Sequence, residues 1–273
     1  CQARPLSSRV SIEVRATSGR RRILTTSRLR HGRPHPAVTR VTAQLDRPVI
    51  GDARSDLERV QAILRGVEVP HRVLREIPDV LREHDWRATF TRYGQRLVDV
   101  EAPEEAHAPY GVAVDIGTSK IIAYLFDLVR GEQIDAEAVE NPQMRYGEDV
   151  VSRIAQATRE GCQGLAAAAR AGIDQCLGKL YARQDIAPRH VYDMTVVGNT
   201  AMHHLALGLP TQGLGVAPYA PAVAEAVTVR GVDLGLDMSP EGGVHFPPPI
   251  AGFVGSDALA VIAATRLASK TRP

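Results

Sequence analysis

Cysteine is scarce in this chain: three residues among 273. So few cysteines exclude a disulfide framework and are typical of a reducing compartment, so we expect a cytoplasmic protein. Cys162 and Cys176 lie in a stretch with a helical pattern, where their spacing corresponds to roughly 21 Å. If that helix is continuous, the two thiols share neither a metal ion nor a disulfide. We interpret both as packing residues.

Lysine and aromatic residues are also rare, with only Lys120, Lys179 and Lys270 against 30 arginines, and 4% aromatic side chains. Residues 1–40 hold ten arginines and a single acid, Glu13, so they carry +9 while the rest of the chain carries −7. A basic segment of this kind can contact nucleic acid. No aromatic ring for base stacking and no nucleic-acid fold motif accompanies it, so we expect no nucleic-acid partner.

Long hydrophobic runs are missing as well. No apolar run approaches the roughly 18 residues that a bilayer crossing needs, so we expect no membrane segment. The hydrophobic content of 44% suits a packed globular protein. The length leaves room for about two domains.

The middle of the chain, residues 46–106, has the pattern of a small α+β domain. Ser55 and Glu58 have the spacing of a capping box and predict the start of a helix. We expect the next helix to be interrupted by Pro78, and the two strands that follow to pair as a hairpin across Gly94. The segment has no cluster of catalytic residue types, so we expect a structural or docking role.

In the string GVAVDIGTSK an apolar strand runs into a polar turn, after which apolar residues resume. The turn contains Asp115, Gly117, Thr118, Ser119 and Lys120. A glycine permits a sharp turn with a left-handed or otherwise strained backbone, and it lets a ligand reach the main-chain amides. Hydroxyl donors, a lysine and a carboxylate suited to Mg²⁺ complete a phosphate site in outline. The alternative is an ordinary polar hairpin, and the P-loop string is absent.

The following strand–helix alternation predicts one mixed α/β sheet. A strand ends at Asn199 and Thr200, and a glycine-rich corner carries Asp257. Asn199 either orients a water or phosphate or caps the next helix, and both roles are compatible. Asp257 is either a Mg²⁺-shell or water-activating residue or the cap of the last helix. His203 and His204 point about 100° apart on a helix, which argues against joint chelation and predicts one packed and one polar-facing ring.

The order of these elements resembles the first half of an actin-like ATPase domain, the superfamily of acetate and sugar kinases, heat-shock chaperones and actin. More narrowly, four strings within residues 111–268 resemble the ATP-dependent reductive activators of corrinoid proteins. The strings are ENPQMRYGEDVVSRI, VVGNTAMHHLALGL, LGVAPYAP and PPPIAGFVGSDALA. The resemblance implies an α/β chain with four parts: a ferredoxin tail at 1–28, a linker at 29–45, the middle α+β domain at 46–106, and the first half of an actin-like, ribonuclease-H-like ATPase domain at 107–273.

The resemblance also implies an ATP site with two groups of residues. The phosphates would be contacted by Gly117, Thr118, Ser119, Lys120 and Thr200. Mg²⁺ and the attacking water would be handled by the catalytic residues Asp115, Asn199 and Asp257. A second phosphate turn and an adenosine-binding segment are expected after the string RLAS and do not occur here, so we expect weak or no ATP hydrolysis by residues 1–273 alone.

At the other end of the chain, the resemblance implies that Cys1 is the fourth ligand of a plant-type two-iron, two-sulfur cluster. Its other three ligands would lie upstream in a C-x₄-C-x₂-C pattern. The implied function is the return of an inactive cobalt(II) corrinoid protein to cobalt(I), with the electron supplied through that cluster from an upstream donor. A homodimer is compatible with this function. The alternatives are a small-molecule kinase of the same superfamily, the activator of 2-hydroxyacyl-CoA dehydratases, and an actin-like scaffold or chaperone module.

Overall fold

The computed structural model describes residues 37–267. The expected ferredoxin tail at 1–28, with Cys1, lies outside the described residues. A small unit (residues 37–102) is built on a three-stranded sheet and a large unit (residues 110–267) on a six-stranded sheet. The elements of the small unit are β1 (Val38–Gln44), α1 (Asp56–Ile63), α2 (His71–Glu83), β2 (Arg87–Tyr93) and β3 (Arg96–Glu101). Those of the large unit are β4 (Tyr110–Ile116), β5 (Lys120–Asp127), β6 (Glu132–Glu140), α3 (Val150–Glu160), α4 (Gln163–Gln184), β7 (Val191–Gly198), α5 (Thr200–Leu207), β8 (Val227–Arg230), α6 (Gly231–Leu234), β9 (Gly243–Phe246) and α7 (Ser256–Thr265).

The small unit packs α1 and α2 against an antiparallel sheet of order β1-β2-β3. The capping box at the start of α1 is confirmed: the Ser55 hydroxyl accepts from the Glu58 amide, and the Ser55 amide donates to the Glu58 carboxylate at 2.6 Å. The hairpin between β2 and β3 is confirmed too, with Gly94 in the left-handed region at φ 58°. The core of the unit includes Val60, Val73, Ile77, Leu81, Phe90 and Leu97.

The small unit differs from expectation in two places. Helix α2 continues through Pro78 instead of being interrupted there. Proline removes the amide that would bond to the carbonyl of Leu74, but Leu74 lies on the exposed side of α2, where water can replace the lost donor. Residues 38–44, which were expected in the linker, form β1 and pair with β2. Their β-branched residues favour an extended strand, and β1 lies at the edge of the sheet.

The large unit has one mixed sheet of order β6-β5-β4-β7-β9-β8, as expected. Strands β4, β5 and β6 form an antiparallel meander, whereas β7 runs parallel to β4, and β9 runs parallel to β7. The register pairs Ile116 with Gly198, so the carboxyl ends of β4 and β7 lie side by side. Among residues 37–267, no helix combines the length and hydropathy that crossing a bilayer would need.

The two units pack directly against each other. The hydroxyl of Tyr192 in β7 donates to the Asp99 carboxylate in β3 at 2.7 Å, and both side chains are buried. Gly243 in β9 leaves room for the Tyr93 ring, since a Cβ there would lie 2.2 Å from the ring. A small apolar cluster completes the contact and consists of Val38, Val98 and Tyr192. The small sheet is therefore seated on β7 and β9.

Candidate functional site

The polar turn between β4 and β5 is held from behind by two side chains. The Asn141 amide group donates to the Gly117 carbonyl at 2.8 Å, and the Arg153 guanidinium donates to the Thr118 carbonyl at 2.6 Å. The Asn141 backbone amide also donates to the Ser119 carbonyl at 3.0 Å. A trans peptide holds its N–H opposite its C=O, so the amides of Thr118 and Ser119 point away from these donors. Two outward amide N–H groups in one turn can donate to the same anion.

Gly117 is required for a different reason from the expected one. Its φ is not in the left-handed region. A Cβ at this position would lie 2.9 Å from the Lys120 carbonyl oxygen, so only glycine permits the backbone to fold back so closely. The left-handed alternative expected at Gly117 is therefore wrong, and steric closeness across the turn explains the need for glycine.

The side chains of the turn differ in exposure. Ser119 is exposed, whereas Thr118 and Lys120 are half-buried. Within residues 37–267, no carboxylate lies within salt-bridge distance of Lys120, in contrast to Lys179, which pairs with Glu137 at 3.4 Å. An ammonium group without a protein counter-ion beside two outward amides is available to an anionic ligand.

Arg153 is a buried support of the turn that the sequence analysis missed. Its side chain is fully buried beneath the turn, where it also donates to the Gly147 carbonyl at 2.9 Å. Burial lowers the pKa of Arg153, and the nearby Asp149 carboxylate partly opposes that shift. A signal was present: Arg153 occupies the buried face of α3 together with Ile154 and Ala157, a position where an apolar residue is the norm.

Asp115 and Asp257 converge at the carboxyl end of β4. Asp115 is the last polar residue of the strand, and Asp257 lies in the first turn of α7. Burial, followed by the charge of Asp257, raises the pKa of Asp115. Two half-buried carboxylates at one strand end are suited to share a divalent cation, because the cation offsets the repulsion that Asp115 experiences from Asp257.

The approach of α7 to β7 depends on Gly255. A Cβ at this position would lie 2.1 Å from the Gly198 carbonyl oxygen and 2.4 Å from the Asn199 Cα. The Ser256 hydroxyl next to it lies 3.3 Å from both the amide and the carbonyl oxygen of Gly198. This close backbone contact places the start of α7, which carries Asp257, at the carboxyl end of β7.

Asn199 and Thr200 begin α5 at the end of β7. The Asn199 side-chain oxygen accepts from the Met202 amide at 3.0 Å, which confirms the cap. Thr200 is buried, and its hydroxyl donates to the Ala251 carbonyl at 2.6 Å. Its proton is therefore used to hold the glycine-rich corner, and a direct contact between Thr200 and phosphate stays a prediction.

His203 and His204 are both buried, so the prediction of one polar-facing ring is wrong. The Nε2 atom of His204 accepts from the amides of Ala222 and Val223, at 3.0 and 3.3 Å, and its Nδ1 lies 2.8 Å from the Thr200 carbonyl. This pattern requires the neutral ring with its proton on Nδ1. The loop at 222–223 is thereby tied to α5.

The buried His203 ring is expected to make the protein less stable in mild acid. Burial and then His204 lower the pKa of His203 from 6.5 to about 4, so the unfolded chain takes up a proton first as pH falls. His203 therefore leaves the free energy of unfolding unchanged above pH 6.5 and lowers it by about 3 kcal/mol as the pH falls from 6.5 to 4. Denaturant unfolding of wild type and His203→Phe at several pH values measures the difference.

His71→Phe is the control for the substitution itself, because His71 is exposed. The stability of wild type relative to His203→Phe should fall between pH 6.5 and 4. A difference that stays constant over this range would contradict the assignment.

The described cysteines have packing roles, as expected. Cys162 and Cys176 are free and buried, and their thiols point to the carbonyls of Gly208 and Ile121. Burial raises the pKa of Cys176 to about 11. Neither thiol is suited to hold an iron–sulfur cluster.

Comparison with protein families gives two matches along this chain. The family model for the RACo middle region matches residues 110–270, and that for the RACo linker region matches residues 27–107. The first match alone covers more than half of the chain. The chain belongs to the RACo family. The resemblance to reductive activators of corrinoid proteins is thereby confirmed.

Individual relatives agree with the RACo assignment. The corrinoid activation enzyme RamQ of Eubacterium limosum is 33% identical over 172 residues, which are 62% of this chain and 29% of RamQ. A solved structure titled as a reductive activator for corrinoid, iron–sulfur protein matches with a TM-score of 0.80 and 26% identity. That match covers 89% of this chain and 41% of the solved chain. This RACo chain therefore spans less than half the length of either relative.

Proposed function

We propose that this chain supplies the phosphate-binding half of an ATP-dependent activator that returns a corrinoid protein from cobalt(II) to cobalt(I). Membership of the RACo family and the names of its relatives support the corrinoid target. The observation that carries the nucleotide part is the turn at 117–120, whose carbonyls are bonded from behind so that two amides face outward. The family match gives no support to the kinase or scaffold alternatives.

Within this proposal the turn binds the terminal phosphates of ATP. The amides and hydroxyls of Thr118 and Ser119 donate to phosphate oxygens, and Lys120 contributes its charge. Asp115 and Asp257 hold Mg²⁺ directly or through its water ligands. When bound, Mg²⁺-ATP supplies a phosphoanhydride bond whose hydrolysis can be coupled to a conformational change.

The residues at the end of β7 have supporting roles. Asn199 uses its side-chain oxygen as a helix cap, which leaves its NH₂ group to orient a water or a phosphate oxygen. The Thr200 hydroxyl holds the corner before α7 through Ala251, and the corner keeps Asp257 near Asp115. A nucleotide shifts the conformation of the protein only if it binds one state better than another. A site shared between a sheet end and a helix start binds better in the state that holds these two elements together.

The described cysteines do not provide the electron path of the proposed activator. The two described cysteines are buried and do not fit a two-iron, two-sulfur cluster. Cys1, by resemblance, is one of its four ligands, and an upstream donor would reduce the cluster. A homodimer is compatible with this arrangement.

Mg²⁺-ATP is expected to bind this chain with little or no turnover. Asp115→Asn and Lys120→Met should each weaken binding by about tenfold or more, since each removes a charged contact of roughly 1.5–3 kcal/mol. Isothermal titration with Mg²⁺-ATP measures affinity, and phosphate release measures turnover. The asparagine variant should also lose the difference between titrations with and without Mg²⁺.

Lys179→Met is the matched control, because Lys179 is exposed and pairs with Glu137 away from the turn. Equal affinities of wild type and Lys120→Met would remove the turn from the nucleotide site. Rapid phosphate release by the 273-residue chain would contradict the expectation of little or no turnover.

A further inference from the structure

A second cluster of metal-ligating side chains lies at the junction of the two units. Glu101 ends β3, His107 belongs to the segment that connects the units, and His190 precedes β7. One ligand atom from each lies within 4.8 Å of those of the other two. The imidazole rings of His107 and His190 stack with centroids 4.3 Å apart, so the exposed His107 ring must turn out of the stack before the in-plane lone pairs of both rings can meet at one ion. This junction cluster contains no residue of the proposed nucleotide site.

The Glu101 carboxylate has one satisfied and one unsatisfied oxygen. Its Oε2 accepts from Arg40 at 2.9 Å, but its Oε1 is buried and has no hydrogen-bond donor among the described residues. The Glu101 side chain is only 10% exposed, so bulk water does not compensate. A buried oxygen without a donor costs about 1–3 kcal/mol unless another group completes it.

The nitrogen that faces this oxygen is already used as an acceptor. Nε2 of His190 lies 3.4 Å from Glu101 Oε1, and it accepts a hydrogen bond from Arg189 at 3.1 Å. An accepting nitrogen carries a lone pair, so two acceptor atoms face each other across this gap whenever the Glu101 carboxylate is ionised. A cation between them would turn this unfavourable approach into two coordination bonds.

We propose that Glu101, His107 and His190 bind a divalent metal ion, with Zn²⁺ the best fit, at the junction of the two units. Two imidazoles and a carboxylate match the ligand preference of Zn²⁺ and not that of Mg²⁺ or Ca²⁺, which favour oxygen. Tetrahedral bonds of about 2.0–2.1 Å place ligand atoms roughly 3.3 Å apart, close to the observed spacing of Glu101 and His190. Arg189 is exposed and can turn away, which frees the Nε2 lone pair of His190 for the ion.

The surroundings fit a structural metal site. Arg40 of β1 holds Glu101 through Oε2 and also donates to the backbone carbonyl of His107, so two of the ligands share one supporting side chain. Support of this kind fixes ligand orientation in metal sites. The ion would join β3, the connecting segment and the start of β7, and so fix the small unit on the large one.

Zinc binding is tested on the full chain, purified without a histidine tag. Metal analysis and competition with a chromogenic chelator measure stoichiometry and affinity, and Co²⁺ substitution reports the ligand geometry through its visible absorption. We expect one ion per chain, tetrahedral Co²⁺ bands, and an affinity that falls by about a hundredfold or more in His107→Ala. His71→Ala is the control, because His71 is exposed and outside the cluster.

Glu101→Gln separates a metal site from a merely structural contact. The glutamine NH₂ group can donate to His190 Nε2, so the metal-free variant should unfold at a higher temperature than metal-free wild type while its zinc affinity falls. Loss of zinc binding together with higher metal-free stability supports the site. Unchanged zinc affinity in both His107→Ala and Glu101→Gln would overturn it.

Discussion

Gly255→Ala is expected to release α7 from the end of β7. The added methyl group would overlap the Gly198 carbonyl and the Asn199 backbone, at 2.1 and 2.4 Å, and no flexible side chain can yield there. Because Ser256 is the only residue of α7 that is buried, the helix can detach at little cost to the rest of the protein. Amide hydrogen exchange in α7 should therefore become nearly unprotected, while the core strands keep their protection.

This release would also separate Asp257 from Asp115. If the two carboxylates share Mg²⁺, the Mg²⁺-dependent part of ATP affinity should fall by at least about tenfold, as expected for the loss of one charged ligand. The control is Gly178→Ala, an exposed position inside α4 where a Cβ meets nothing within 4 Å. That change should stabilise the protein by about 0.5–1 kcal/mol. Protection of α7 equal to wild type in Gly255→Ala would show that the contact tolerates a side chain.

Arg153→Met is expected to lower the free energy of unfolding by about 3 kcal/mol and to disorganise the turn at 117–120. Methionine fills much of the space but cannot donate, so the carbonyls of Thr118 and Gly147 lose their partners in a buried environment. Removal of a buried charge offsets part of this cost, because burial already disfavours the charged guanidinium. Denaturant unfolding gives the stability, and titration with Mg²⁺-ATP gives the loss at the turn.

Arg159→Met provides the comparison on the same helix. Arg159 is exposed, and among residues 37–267 its side chain bonds to Gln156 alone, so this change should stay within about 0.5 kcal/mol. A stability loss in Arg153→Met without any change in nucleotide affinity would restrict Arg153 to a packing role. Similar stabilities of the two variants would contradict its role as the support of the turn.

Much of the fold could be predicted because its signals are local. The capping box at Ser55 and Glu58, the hairpin at Gly94 and the cap at Asn199 each depend on hydrogen bonds within a few residues. Pro78 was misjudged because its effect depends on which face of α2 is exposed. That exposure is set by packing against the sheet and not by the helix itself.

The candidate site was predicted in part. The residues of the turn could be named from the string DIGTSK, but their supports could not, since Asn141 and Arg153 are 24 and 35 residues away from the carbonyls that they bind. An arginine on an apolar helix face was the available signal. Sequence spacing alone does not distinguish an arginine that merely interrupts an apolar helix face from one that is a buried hydrogen-bond donor.

The sequence by itself determined the family, the mixed α/β character and the residue types of the turn, because residue type, periodicity and short motifs are encoded over a few neighbouring positions. Only the tertiary structure decided that Asp115 faces Asp257, that the amides of the turn point outward, and that Glu101 meets His190. These features arise when distant segments are packed side by side, where loss of water makes each unpaired charge or oxygen costly. Contacts between side chains from distant segments, and the burial that makes these contacts matter for stability, exist only in the folded chain.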